Sequence, residues 1–145
     1  MNTINEHAAV HSKALLDHPY QRYCGLELVE QRPGYCKCSF RVTEAIDNLS
    51  HTLHGGVIYS MLDVVSMLAT LPILADDEYA LTNSFSSSLM SAASLNAEVV
   101  VEASVIRSGR NLIFTQSSAW KFDQDGKRTQ IASAQLSKFR FKRQW

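Results

Sequence analysis

The sequence predicts an α+β domain in which an antiparallel sheet of five or six strands curls around one long apolar helix. Three observations carry that expectation. Between His54 and Asp76 the only formal charge is Asp63, and the run VIYSMLDVVSMLATLPIL at residues 57–74 is too apolar for a surface helix, so other structure must wrap it. Four strand candidates follow it in quick order, two of them, residues 97–107 and 112–122, rich in β-branched and aromatic residues. Two further strand candidates precede it, so the helix is inserted after the first pair and the sheet has to bend around it.

In chain order, residues 5–17 place Ala, Val and Leu at helical spacing, and His18-Pro19 ends that segment. Residues 1–19 are thus expected to be a helical extension over one edge of a single domain spanning 1–145. Residues 25–31 and 35–42 flank Arg32-Pro33-Gly34, a turn signal that pairs them antiparallel. Residues 43–50 are polar and deliver Asn48 to the start of the helix. Pro72 limits the helix to about Leu71. Residues 79–89 alternate Tyr79, Leu81, Asn83 and Phe85 with Ala80, Thr82, Ser84 and Ser86, and the second side is small and hydroxylated, suited to a close neighbour or a ligand tunnel. Residues 97–107 and 112–122 are joined through Ser108-Gly109-Arg110-Asn111, and Asp125-Gly126 leads into a last strand at 129–141.

Fourteen basic and fourteen acidic residues balance, so the charge supplies no general attraction to nucleic acid or to an anionic membrane. The basic end, residues 138–145, is expected to be a last strand with a solvated edge. Cys24, Cys36 and Cys38 are odd in number and match no zinc-ligand spacing, and Cys36 and Cys38 would share one face of a strand, so all three read as reduced packing residues. Residues 1–17 are polar and mixed, unlike a signal peptide, and Asp63 and Pro72 interrupt the apolar run. The cytoplasm is the expected location.

The chemistry is concentrated where the helix starts. Ser60, Asp63, Ser66 and Thr70 recur at three- and four-residue spacing, which gathers them on one seam of an apolar cylinder. A carboxylate on that seam is costly unless it is hydrogen-bonded, paired or facing a wet cavity. Directly after His54, Gly55 and Gly56 bring unpaired first-turn N–H groups close to any ligand, an arrangement suited to a carbonyl oxygen gaining negative charge. Gly55 and Asp63 lie eight residues apart, about 12 Å along one helix. A base or nucleophile must come within about 3 Å of its target. If both groups serve one carbonyl they must therefore come from two copies of the chain, related by a two-fold axis.

These residues resemble a known family. Asn48, then His54-Gly55-Gly56, then Asp63, together with the hairpin Gly109-Arg-Asn-Leu-Ile-Phe-Thr115, are similar to the PaaI-like acyl-CoA thioesterases of the hotdog-fold superfamily, over roughly residues 20–139. The resemblance implies a homodimer, or a homotetramer of two dimers, acting on acyl-CoA without a metal or other cofactor. It implies that Gly55 gives its N–H to the thioester oxygen and that Asp63 of the other subunit is the nucleophile or the base. Asn48 and His54 would hold water or thioester and orient each other, with Gly56 beside the substrate. Thr82 would assist the carboxylate, or Ser84 if one residue is inserted. Arg107 and Arg110, or Lys138 or Arg140, would meet the CoA phosphates. One departure is His51, where the family often has glycine. The alternatives are a hotdog hydratase or dehydratase acting on acyl thioesters and a non-catalytic acyl-CoA-binding module; Asp63 argues against the second, because pure binding has little use for a costly carboxylate.

Overall fold

Asn5 opens the first helix, α1 (Glu6–Leu16), by accepting a 2.8 Å hydrogen bond from the Ala8 N–H. The structure, a computed structural model, describes residues 3–143. Met1 and Asn2 of the predicted extension, and Gln144 and Trp145 of the basic end, lie outside the described residues. The Ala8 and Ser12 face of α1 is buried, and Ser12 Oγ accepts a 2.8 Å bond from Gln31. His18-Pro19 does end α1, but Pro19 also begins a second helix, α2 (Pro19–Cys24), which the helical spacing did not announce. Proline suits that place because the N–H it lacks is one a helix start leaves unpaired.

The strands are β1 (Glu27–Arg32), β2 (Tyr35–Arg41), then, after the long helix α3 (Gly55–Thr70) and a 3-10 turn (Leu71–Ile73), β3 (Glu78–Leu89), β4 (Glu98–Ser108), β5 (Leu112–Phe122) and β6 (Arg128–Lys142). All pairs are antiparallel, in the order β1-β2-β4-β5-β6-β3. Strands β1 and β3 are therefore the edges. The basic last strand, expected to have a solvated edge, instead lies between β5 and β3, and Lys138 is fully buried.

Met61, Leu62, Val65 and Leu68 of α3 are completely buried against the inner sheet face, among Cys38, Val99, Val101, Ala119 and Ile131. Each such side chain contributes about 1.5–3 kcal/mol through burial. Cys36 and Cys38 share this inward face, their sulfurs 3.8 Å apart. The helix ends satisfied: Gln31 Nε2 donates to the Leu68 carbonyl at 2.7 Å and the Gly34 N–H to that of Ala69 at 3.1 Å. On length and hydropathy alone Gly55–Ile73 suffices to cross a bilayer, Asp63 and Pro72 notwithstanding, yet more than half of it is buried inside this fold.

One expectation about β3 is overturned. The register with β6 slips between Thr82 and Ser84, leaving Asn83 as an extra residue. Thr82 opposes Lys138, whereas Ser84 opposes Ser137 and Phe85 opposes Leu136. Phe85 thus joins Ala80 and Thr82 on the inner face and packs edge-on against Tyr59 of α3, with ring centroids 6.0 Å apart. Ser84 and Ser86 turn to the outer face with Leu81. The predicted continuous hydroxylated face does not form, because a bulge shifts the alternation by one residue.

Candidate active site

His54 is the N-cap of α3, with extended backbone (φ −62°, ψ 131°), and its Nδ1 accepts a 2.9 Å bond from the Gly56 N–H. The Val57 and Ile58 N–H groups donate to the His54 carbonyl at 3.0 and 3.2 Å. Among the described residues no acceptor meets the Gly55 N–H, so the first amide of the helix is the open one. Space is tight around both glycines. A Cβ on Gly56 would lie 3.1 Å from the His54 ring, and one on Gly55 would lie 3.3 Å from Leu89 Cδ1.

Asn48 organises the loop leading to this end. Its Oδ1 accepts from the Ser50 and Thr52 N–H groups at 2.9 and 3.1 Å, and its Nδ2 donates to Thr52 Oγ1 at 2.8 Å. Among the described residues no direct hydrogen bond joins Asn48 to His54. The His54 N–H instead donates to the Ile46 carbonyl at 3.0 Å. His51 adopts φ +58°, the left-handed conformation that favours glycine, and its Nδ1 lies 3.3 Å from Asp47 Oδ2.

The polar seam of α3 sorts itself by partner. Ser66 Oγ donates to the Asp63 carbonyl at 2.6 Å and Thr70 Oγ1 to the Ser66 carbonyl at 2.8 Å, so these two satisfy themselves on their own helix. Ser60 Oγ also donates on its own helix, to the Gly56 and Val57 carbonyls at 3.0 Å, and in addition lies 2.8 Å from the Tyr20 hydroxyl. Gly55, Tyr59 and Asp63, spaced four apart, form a row facing β3, where Leu89, Phe85 and Thr82 stand opposite in turn. Thr82 Oγ1 donates to Asp63 Oδ1 at 2.6 Å. Of the two hydroxyls weighed, Thr82 reaches the carboxylate and Ser84 faces the other way. The Asp63 side chain keeps 44% of its exposure, opening beside the free edge of β3.

Lys138 completes the cluster. Its Nζ donates to Thr82 Oγ1 at 2.8 Å and lies 3.3 Å from Asp63 Oδ1. Burial pushes its pKa below the ordinary lysine value, while the Asp63 charge opposes that shift. It is therefore not placed to meet a phosphate, contrary to one option taken from the resemblance. Arg140 is engaged too, with Glu78 at 2.9 Å and with Ser108. The signal for Lys138 lies in the alternation Ala132, Ala134, Leu136, Lys138, which continues an inward apolar row. Arg107 and Arg110 are exposed at the β4–β5 hairpin and make no ion pair among the described residues. The hairpin stands near the carboxylate row, since Ser108 pairs with Ile113, Ile113 with Lys138 and Lys138 with Thr82. A second opening, an open cavity of about 370 Å³, lies beside His54 and Gly56 and is walled by Tyr20, Tyr23 and Ile46.

Comparison with known proteins identifies the family and the fold. The thioesterase superfamily profile matches residues 50–127. Human acyl-coenzyme A thioesterase 13 is 31% identical over 99 residues, covering 66% of this chain and 69% of that one. A thioesterase family protein from Silicibacter pomeroyi superposes with a TM-score of 0.86 at 20% identity, over 94% of this chain and 99% of that one. Zebrafish thioesterase superfamily member 2 superposes with a TM-score of 0.76 at 25% identity, over 94% and 97% of the two chains. With a curved six-stranded sheet around one long helix, and this extent of match in sequence, the chain belongs to the thioesterase superfamily and has its hotdog fold.

Proposed function

We propose that this chain hydrolyses acyl-CoA thioesters to the free acid and CoA, at sites that two copies of the chain build together. The carrying observation is a half-open carboxylate, Asp63, held by Thr82 beside an unpaired strand edge, two helical turns from an open amide at Gly55. Within one chain those groups are about 12 Å apart, too far to serve one carbonyl. An antiparallel second copy across the free edge of β3 brings the Gly55 N–H of one subunit to the Asp63 of the other. The exposed Tyr59, Leu81, Phe85, Leu89 and Met90 on and beside that edge support such a contact.

Each residue then has a defined task. The Gly55 N–H, at the positive end of α3, donates to the thioester oxygen as it gains charge in the tetrahedral intermediate. Asp63 either attacks the carbonyl carbon, forming with loss of the CoA thiolate a mixed anhydride that water then cleaves to the free acid, or takes a proton from a water that attacks the carbon directly and expels the thiolate. Thr82 holds the carboxylate. His54, with Nδ1 engaged by Gly56, carries the proton of its neutral ring on Nε2 and offers it to thioester or water. Asn48 fixes the loop that delivers His54, the lack of a side chain at Gly56 keeps the ring in place, and Arg107 and Arg110 meet the CoA phosphates.

Free-thiol release from a panel of acyl-CoA chain lengths tests the activity and separates hydrolysis from hydration. Asp63→Asn and Gly55→Pro should each abolish release. The backbone accepts a proline, since His54 already has the extended conformation a following proline requires and the Gly55 N–H makes no internal bond, while the Leu89 side chain must give by a few tenths of an ångström to admit its Cβ. Unfolding, mixing and refolding the two inactive chains should restore about a quarter of wild-type activity, because half the dimers are mixed and each mixed dimer keeps one intact site of two. No recovery on mixing would remove the shared site.

A further inference from the structure

We propose that Lys138 is a positioning residue, which fixes the direction of the Thr82 hydroxyl and thereby selects which oxygen of Asp63 works on the substrate. The inference deepens the hydrolase reading and rests on it. Lysine's ammonium has three donors and no acceptor. Because Nζ donates to Thr82 Oγ1 at 2.8 Å, the hydroxyl hydrogen cannot point back at Lys138 and is sent to Asp63 Oδ1, 2.6 Å away. Lys138 itself approaches the same Oδ1 at 3.3 Å. Both donors converge on Oδ1, and among the described residues Oδ2 has no partner. The carboxylate is thus held by one oxygen and presents the other, Oδ2, to the open side of the seam.

A lysine with no exposed surface is a costly choice for a task an apolar residue could fill if only packing were needed. Across β5 and β3 its register neighbours are Ile113 and Thr82, and among the described residues the only charged group it meets is Asp63 on α3. The device fails when Lys138 loses its proton. A neutral amine can accept a hydrogen bond, so Thr82 is free to turn its hydrogen toward Nζ and release Oδ1. Since burial lowers the Lys138 pKa, that loss comes at a lower pH than for an ordinary lysine.

The test pairs kinetics with a measurement that needs no substrate. Lys138→Met should lower kcat about ten- to a hundredfold with KM for acyl-CoA little changed, and should leave the dimer intact and the melting temperature no lower than wild type. Lys138→Arg, which stays charged, should recover part of kcat and move the alkaline fall of the rate to higher pH. Carbon-13 shifts of the Lys138 ε-carbon should give a titration midpoint below that of exposed lysines in the free protein, and a lower one still in Asp63→Asn. Equal midpoints in wild type and Asp63→Asn, or a Lys138→Met kcat within twofold of wild type, overturn the proposal. So does a loss of rate matched by loss of fold with no rescue by arginine. Absence of thiol release by the wild type would overturn the hydrolase reading alone, because the carbon-13 arm still decides whether Lys138 and Asp63 are coupled.

Discussion

At the scale of single residues, His51 and Lys138 show where side-chain identity works against stability. His51 holds φ +58° in a loop closed around Asn48, and its contact with Asp47 is exposed and weak. His51→Gly should relieve that backbone and stabilise the protein by about 0.5–1 kcal/mol, measured by urea denaturation. An unchanged or lower midpoint would mean the imidazole earns its place through contacts. Lys138 has the opposite sign from a paired surface lysine. With its folded pKa below the unfolded one, its burial penalty is complete while the buried ammonium keeps its proton and is relieved as pH rises through the folded value toward the unfolded one. Stability of wild type relative to Lys138→Met should therefore rise on the alkaline side while activity falls. The carboxylate, the glycine pair and the histidine were legible in the sequence, because each is an unusual residue in its local pattern. Lys138 was not, because a lysine near a basic end reads as surface until the register sets it opposite Thr82.

At the scale of elements, the two glycines at the head of α3 differ in what they protect. Gly56 leaves room for the His54 ring that caps its own N–H, so Gly56→Ala should displace the cap and cost about 1 kcal/mol, again read from urea midpoints. Gly109 sits where a Cβ would come within 2.9 Å of the Leu112 carbonyl, and that carbonyl already accepts the Gly109 N–H at 2.8 Å. Gly109→Ala must shift the hairpin backbone that carries Arg110. Strand and helix positions followed from periodicity and turn residues almost throughout: β5 spans Leu112–Phe122 as read, and Pro72 ends α3 within one residue of the expected place. Two features escaped. Pro19 serves both as a stop and as a start, and a period-two pattern in β3 cannot reveal the extra residue at Asn83 that turns its second half over.

At the scale of the whole molecule, β3 is a 12-residue edge strand with apolar side chains beside it, a surface that soluble proteins rarely leave uncovered. Leu81→Glu with Leu89→Glu should give monomers by analytical ultracentrifugation, with native circular dichroism and no thiol release; an active monomer would end the shared-site account. The strand order has a further consequence for biosynthesis. Because β6 is inserted between β5 and β3, a nascent chain that has emerged only as far as Phe122 contains α3, β3 and the Asp63 carboxylate but has nothing to hold β3 against the rest of the sheet. Residues 128–142 deliver at one stroke the hydrogen-bonding neighbour of β3 and the ammonium beside Thr82. Ribosomes stalled before Arg128 should accordingly carry polypeptides incapable of turnover, however long they are given to mature.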